Sequence, residues 1–126
     1  EPNQASFSLL KRAKRHAKLA NTAICAEVAG TVRMTKEGGV RAHVVQDGEQ
    51  PQAHGKKRAI LNVPCHSLSH IMRSNDFPTA HFLSLDVEGF EAHVLEAVDP
   101  ASFEVIMVET DGSDSAKERR VRTLIE

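Results

Sequence analysis

Residues 82–89 read Phe82-Leu83-Ser84-Leu85-Asp86-Val87-Glu88-Gly89, an apolar run that stops abruptly in two carboxylates and a glycine. A short apolar run bounded by a turn signal fits a buried strand. Phe90, Val94, Leu95 and Val98 then recur at helical spacing until Asp99-Pro100 ends the pattern. The same unit follows at once. Phe103-Glu104-Val105-Ile106-Met107-Val108-Glu109 is a second apolar strand ending in an acid, and residues 110–113 turn the chain into a charged helix from Asp114 onward. The order strand, helix, strand, helix predicts parallel strands, because parallel neighbours need a crossover. A sheet buried on both faces accounts for the unbroken apolar runs. The expected fold class is α/β with a doubly wound sheet.

Upstream, Asn3 is a candidate helix cap, and Phe7, Leu10, Ala13, Ala17 and Ala20 mark one face of an amphipathic helix. The opposite face carries Lys11, Arg12, Lys14, Arg15 and Lys18 and is read as solvated. Thr22-Ala23-Ile24-Cys25 is a short strand. Gly30 to Met34 and Val40 to Val45, separated by Gly38-Gly39, form a hairpin. Residues 46–57 are polar, with Gly48, Pro51 and Gly55, and are read as a surface loop. Arg58 to Val63 recovers strand character, Ser67 to Met72 marks a short helix closing near Asn75, and Pro78 forbids its continuation.

At 126 residues the chain has the size of one domain. Sixteen basic residues against seventeen acidic ones leave a net charge of −1, so no overall field directs it to nucleic acid or an anionic membrane. No apolar run approaches the roughly 20 residues that cross a bilayer. Cys25 and Cys65 form no Cys-x-x-Cys pair and no disulfide framework, so free thiols are expected. The chain begins Glu1-Pro2-Asn3 without an initiator Met and ends at Glu126 inside an unfinished helical pattern, so both ends are expected to be cut.

In open α/β sheets, ligands bind beyond the carboxyl ends of the strands. Asp86 and Glu88 follow one strand, Glu109 another, and Glu1 would follow a third lying upstream. A carboxylate at such an end can accept hydrogen bonds from vicinal ribose hydroxyls, and Glu1 is the candidate, against a solvated terminal residue. Asp86, directly after a buried run, either faces a polar cleft or caps the next helix. Glu88 serves as a base or as a favourable charge in that helix's first turn. Gly89 permits a close ligand approach or starts the helix without steric conflict. His66 and His70, one helical turn apart beside Cys65, have the look of a metal site, but no third and fourth ligand stands at a characteristic spacing. Hydrolase elbows, P-loops and Cys-x-x-Cys ribbons are missing from the sequence.

Five segments, in order, resemble the FkbM-type methyltransferases. They are Glu1-Pro2-Asn3 before a helix, Ala23-Ile24-Cys25 with Gly30-Thr31-Val32, Val63-Pro64-Cys65 with Leu68, Leu83-Ser84-Leu85-Asp86-Val87-Glu88-Gly89-Phe90-Glu91 with Val94-Leu95, and the Val108-Glu109 strand end. The resemblance implies a Rossmann-like class I methyltransferase sheet, incomplete at both ends, in a single partial domain over residues 1–126. It also implies S-adenosylmethionine as cofactor and O-methylation of a small molecule or sugar. Glu1 matches the acid that holds the cofactor ribose, Cys25 and Ala26 match positions near the adenine, and Asp86 and Glu88 match the motif facing the methyl group and its acceptor. Either carboxylate is a candidate general base, and Asp86 also borders the cofactor. The family's first strand and glycine-rich turn are expected upstream of Glu1.

Two other classes remain open. One is a degenerate, non-catalytic Rossmann-like module that binds or interacts. The other is a nucleotide enzyme such as a dehydrogenase, which demands a Gly-x-Gly-x-x-Gly turn upstream. Compartment and oligomeric state leave no signal in the sequence.

Overall fold

A computed structural model describes every residue except 27–28, 37–42, 46–47, 49, 51, 54–55, 88, 111 and 113; the side chains of 52–53 and 56–57 are also left undescribed. Helix α1 spans Gln4–Arg12, and the Asn3 side chain caps it by accepting from the Ala5 and Ser6 N–H groups at 2.9 and 3.1 Å. The helix ends well before Ala20, where the apolar period ran out. None of its side chains is buried, Lys14 turns to a positive φ of 48°, and a short helix without tertiary burial has little to extend it.

Strand β1 (Ala23–Ile24) lies parallel to β5 (Ile60–His66), and β2 (Ala29–Thr35) pairs antiparallel with the other edge of β5. The expected hairpin is present: Val45 N–H donates to Arg33 O at 2.7 Å, Thr35 N–H donates to His43 O at 3.2 Å, and Met34 bridges Val44. Its Gly38-Gly39 turn lies outside the described residues. Within 46–57, expected to be only loop, β3 (Gln52–Ala53) and β4 (Lys56–Lys57) form a short antiparallel ladder.

After α2 (Leu68–Ser74), capped by Ser67, come β6 (Ala80–Leu85), α3 (Glu91–Glu96), a 3₁₀ turn at Pro100–Ser102, β7 (Phe103–Val108) and α4 (Ser115–Ile125). β6 and β7 are parallel, with Leu83 opposite Ile106 and Leu85 opposite Val108. The architecture is mixed α/β, with three small sheets among the described residues, β1-β5-β2, β3-β4 and β6-β7.

The main core lies between β6–β7 and the helices that follow them. Leu85, Ala92, Val94, Leu95 and Val121 are buried, and Leu83, Ile106, Val108, Ile24 and Leu68 pack around them. Burial on both faces of these strands does not hold. Alternate residues Phe82, Val105 and Met107 are 54–55% exposed, because α3 and α4 cover one face and no described element covers the other.

A second, smaller core of Ala23, Cys25 and Cys65 lies under β1 and β5. Here the expectation of free thiols is overturned, since Cys25 and Cys65 form a disulfide. Parallel pairing sets Ala23 opposite Cys65, which brings two residues forty positions apart to a Cα separation of 5.7 Å, well inside bridging range.

Candidate functional site

The end of β6 sets the geometry. Leu85 is buried, whereas the next residue, Asp86, is exposed, so its charge stays in water and the cost of a buried unpaired carboxylate does not arise. Across the sheet, Glu109 N–H donates to Leu85 O at 3.0 Å. The two strand ends are therefore neighbours, and Asp86 and Glu109 share one edge, as the sequence predicts. Glu88 lies outside the described residues.

Of the two readings of Asp86, capping is not what the structure shows. The N-cap of α3 is Phe90, with no side-chain cap bond. The amides ahead of the helix are served instead by Glu91, whose Oε1 accepts from Val87 N–H at 3.1 Å and Gly89 N–H at 3.0 Å. Glu91 is 1% exposed, and its Oε2 lies 2.9 Å from the Lys117 ammonium, which reaches over from α4. Asp114 places that lysine by capping α4, accepting from the Ala116 and Lys117 N–H groups at 2.9 and 3.1 Å. Burial by itself raises the Glu91 carboxyl pKa. The Gly89 N–H bond, the Lys117 ammonium and the remaining backbone N–H groups outweigh it and hold the group below its ordinary value. Gly89 has a φ of +99°, a conformation costly for any other residue, so its conformational freedom belongs to this turn.

Glu1 is exposed, and its Oε1 accepts from Asn3 N–H at 2.7 Å. It stands at the rim of a hollow of about 260 Å³ whose lining includes Phe7, Leu10, Leu19, Ile24 and Leu68. Cys25 follows Ile24 directly; it is buried, bonded through sulfur to Cys65, and its N–H donates to His66 O at 3.1 Å. Ala26, the next residue, is exposed. Ile24 thus connects the Glu1 hollow to the Cys25-Ala26 segment, while Asp86 does not line that hollow.

His66 and His70 stack with ring centroids 5.1 Å apart, and His66 Nδ1 meets Thr22 Oγ1 at 2.9 Å. With Cys65 spent in the disulfide, the pair loses its nearest candidate ligand. Among the described residues no group of three or more His, Cys, Asp or Glu side chains is disposed to hold a metal, and no helix is long and apolar enough to cross a membrane.

The sequence reading singled out neither Glu91 nor Lys117 as a site residue. The available signal was a glutamate two residues after a glycine, in the first turn of a helix, where the unpaired N–H groups favour a negative charge.

A parallel strand pair ending in an acidic loop, backed on one face by two helices, places the chain among the mixed α/β proteins whose polar residues gather at strand ends. The methyltransferase FkbM domain matches residues 1–124, and the chain belongs to that family. Membership supports a methyltransferase in general. No curated protein and no solved structure matches the chain.

Proposed function

We propose that the chain is part of an S-adenosylmethionine-dependent methyltransferase of Rossmann-like class I architecture that O-methylates a small molecule or sugar. The observation that carries the reading is the family match over residues 1–124, taken with an exposed carboxylate, Asp86, at the end of a parallel strand. When bound, S-adenosylmethionine supplies a methyl group on a sulfonium, an electrophile that needs little acid–base help beyond removal of the acceptor's proton.

The residues present fit such a group in kind. Glu1 offers a carboxylate for the ribose hydroxyls at the rim of its hollow. The Cys25-Ala26 segment offers backbone and small side chains beside the adenine; the Cys25 sulfur, already bonded to Cys65, offers no thiol. By the family resemblance, Asp86 is the residue assigned to border the cofactor, and Asp86 and Glu88 are the two candidate bases toward the acceptor; Glu88 lies outside the described residues. In this reading one of these carboxylates takes the proton of the acceptor hydroxyl, and positioning supplies most of the remaining rate.

The test is methyl transfer by the full-length protein across a panel of hydroxylated small molecules and sugars, with S-adenosylhomocysteine binding measured by calorimetry. Asp86→Asn is expected to lower the transfer rate by about 10²–10⁴-fold, the range for loss of a general base. An unchanged rate removes Asp86 from the chemistry. Failure of the wild-type protein to bind S-adenosylhomocysteine would favour the non-catalytic module instead.

A further inference from the structure

Glu91 is a carboxylate placed where packing alone asks for an apolar side chain. It is 1% exposed and sits beside Ala92, Val94 and Leu95 in the core helix α3. A buried ion pair is seldom more stabilising than well-packed apolar residues of the same volume, so stability is a weak account of its presence. What it holds is more informative. The Val87 N–H that donates to Glu91 Oε1 belongs to the peptide joining Asp86 to Val87, and the Gly89 N–H belongs to the peptide joining residues 88 and 89. On the other side of Asp86, the carbonyl of Leu85 is held by Glu109 N–H. The peptide planes before and after Asp86 are therefore both pinned, the first by the neighbouring strand and the second by Glu91, and between them they fix φ and ψ of Asp86. Lys117 closes the arrangement from α4: its ammonium pairs with Oε2, and a Cβ at Gly89 would stand 4.0 Å from its Nζ, so the lysine packs against the turn itself.

We infer that Glu91 is a positioning residue: with Lys117 as counter-ion, it holds the Val87 and Gly89 amides inward and so fixes the direction in which Asp86 is presented to its substrate. The substrate part of this statement rests on the proposed function; the clamp itself does not. A loop fixed before the acceptor arrives spares the reaction the cost of ordering it.

The experiment uses the full-length protein, labelled for NMR, with Glu91→Gln, which keeps the oxygen acceptor and the shape but removes the charge, and with Lys117→Met. Amide exchange at Val87 and Gly89 is expected to accelerate about tenfold or more in both variants, local opening being separable from global unfolding. The Asp86 carboxyl carbon resonance is expected to shift, amides within β6 should keep their protection, and Lys117→Arg should restore the wild-type pattern. If exchange at Val87 and Gly89 and the Asp86 signal stay as in wild type, the inference is overturned. It is also overturned if every amide of β6, α3 and α4 accelerates equally, which would make Glu91 a global stabiliser only. Should Glu91→Gln fail to fold, Lys117→Met is judged by the same criteria. S-adenosylhomocysteine titration of the wild type reports separately on the proposed function: its failure removes the substrate role of Asp86 while the exchange data still decide the clamp.

Discussion

The two halves of the molecule are held together by different means. In the β1-β5-β2 sheet the fully buried cluster is Ala23, Cys25 and Cys65, small side chains with the partly buried Val32, Met34 and Val63 against them, and a covalent bond joins the neighbouring strands. In the β6-α3-β7-α4 half there is no cysteine, and Leu85, Ala92, Val94, Leu95 and Val121 are packed between two strands and two helices. Apolar burial contributes roughly 25 cal/mol per Å², so the second half has a folding force of its own. The first relies more on the crosslink, which acts by restricting the unfolded chain. The acidic loop is built entirely on the second half, where packing can hold a polar turn by a buried side chain.

The contrast would be broken most directly in the second half. Leu95, 2% exposed, should cost about 2–5 kcal/mol when truncated to Ala, the range for deleting a buried aliphatic side chain. A thermal melt would show it as a large drop in Tm, accompanied by loss of protection at Val87 and Gly89. A cost below about 1 kcal/mol would mean that the core accommodates the deletion, against the usual cavity penalty. Replacing Cys25 and Cys65 together by Ala should cost about 2–4 kcal/mol, the ordinary range for a native disulfide. Here the expected signature differs: β1 and β2 amides lose protection first, while Val87 and Gly89 keep theirs. If both sets weaken together, the halves are one cooperative unit and the contrast is only descriptive.

Acid sharpens the same comparison with a smaller effect. The Glu91 carboxyl, ordinarily near 4.5, lies lower when folded. A depressed folded pKa contributes stability that is fully present above the unfolded pKa and is lost as pH falls through the folded one. The contribution should therefore hold from neutrality down to about pH 4.5 and fade below it. Urea melts at a series of pH values should show a steeper acid decline in wild type than in Glu91→Gln. Parallel acid limbs would show that Glu91 is not held charged by its surroundings.

Much of the second half could be read from the sequence, because its signals are local. An unbroken apolar run ending in Asp86 and the turn into a charged helix from Asp114 onward act within a few residues and fall at the boundaries of β6 and α4. Helix α3, by contrast, stops at Glu96, short of Val98 and of the Asp99-Pro100 signal, which instead opens the 3₁₀ turn. What escaped depends on distant partners. The cysteines pair only because β1 lies beside β5, a contact between segments about forty residues apart. The exposed Phe82, Val105 and Met107 carry the same apolar signature as their buried neighbours, so sequence alone could not separate the two faces. Asp86 and Glu109 were expected at one edge and are found there. Glu91 stands within the family-like segment, but its role was hidden because a glutamate on a short helix ordinarily reads as solvated and its partner Lys117 comes from α4.

Helix α4 carries the smallest and cleanest form of the comparison. Lys117 and Arg120 both reach from it to a glutamate on α3, Lys117 to Glu91 and Arg120 to Glu96. The Arg120 Nε donates to Glu96 Oε1 at 2.9 Å, a good bond by distance, yet the two side chains remain 51% and 37% exposed. Water screens both charges there and solvates either one when its partner is removed, so the coupling should be only about 0.2–1 kcal/mol. The Lys117 side chain is 21% exposed and that of Glu91 only 2%, so removing the lysine strands a carboxylate that water hardly reaches. A double-mutant cycle on Glu96 and Arg120, using Gln and Met, should therefore give a coupling that shrinks toward zero in 1 M salt, where the screening length is about 3 Å. The corresponding cycle on Glu91 and Lys117 should be larger and nearly insensitive to salt. Equal couplings with equal salt dependence would mean that burial does not distinguish the two pairs, and the clamp beneath the acidic loop would be no stronger than an ordinary surface contact.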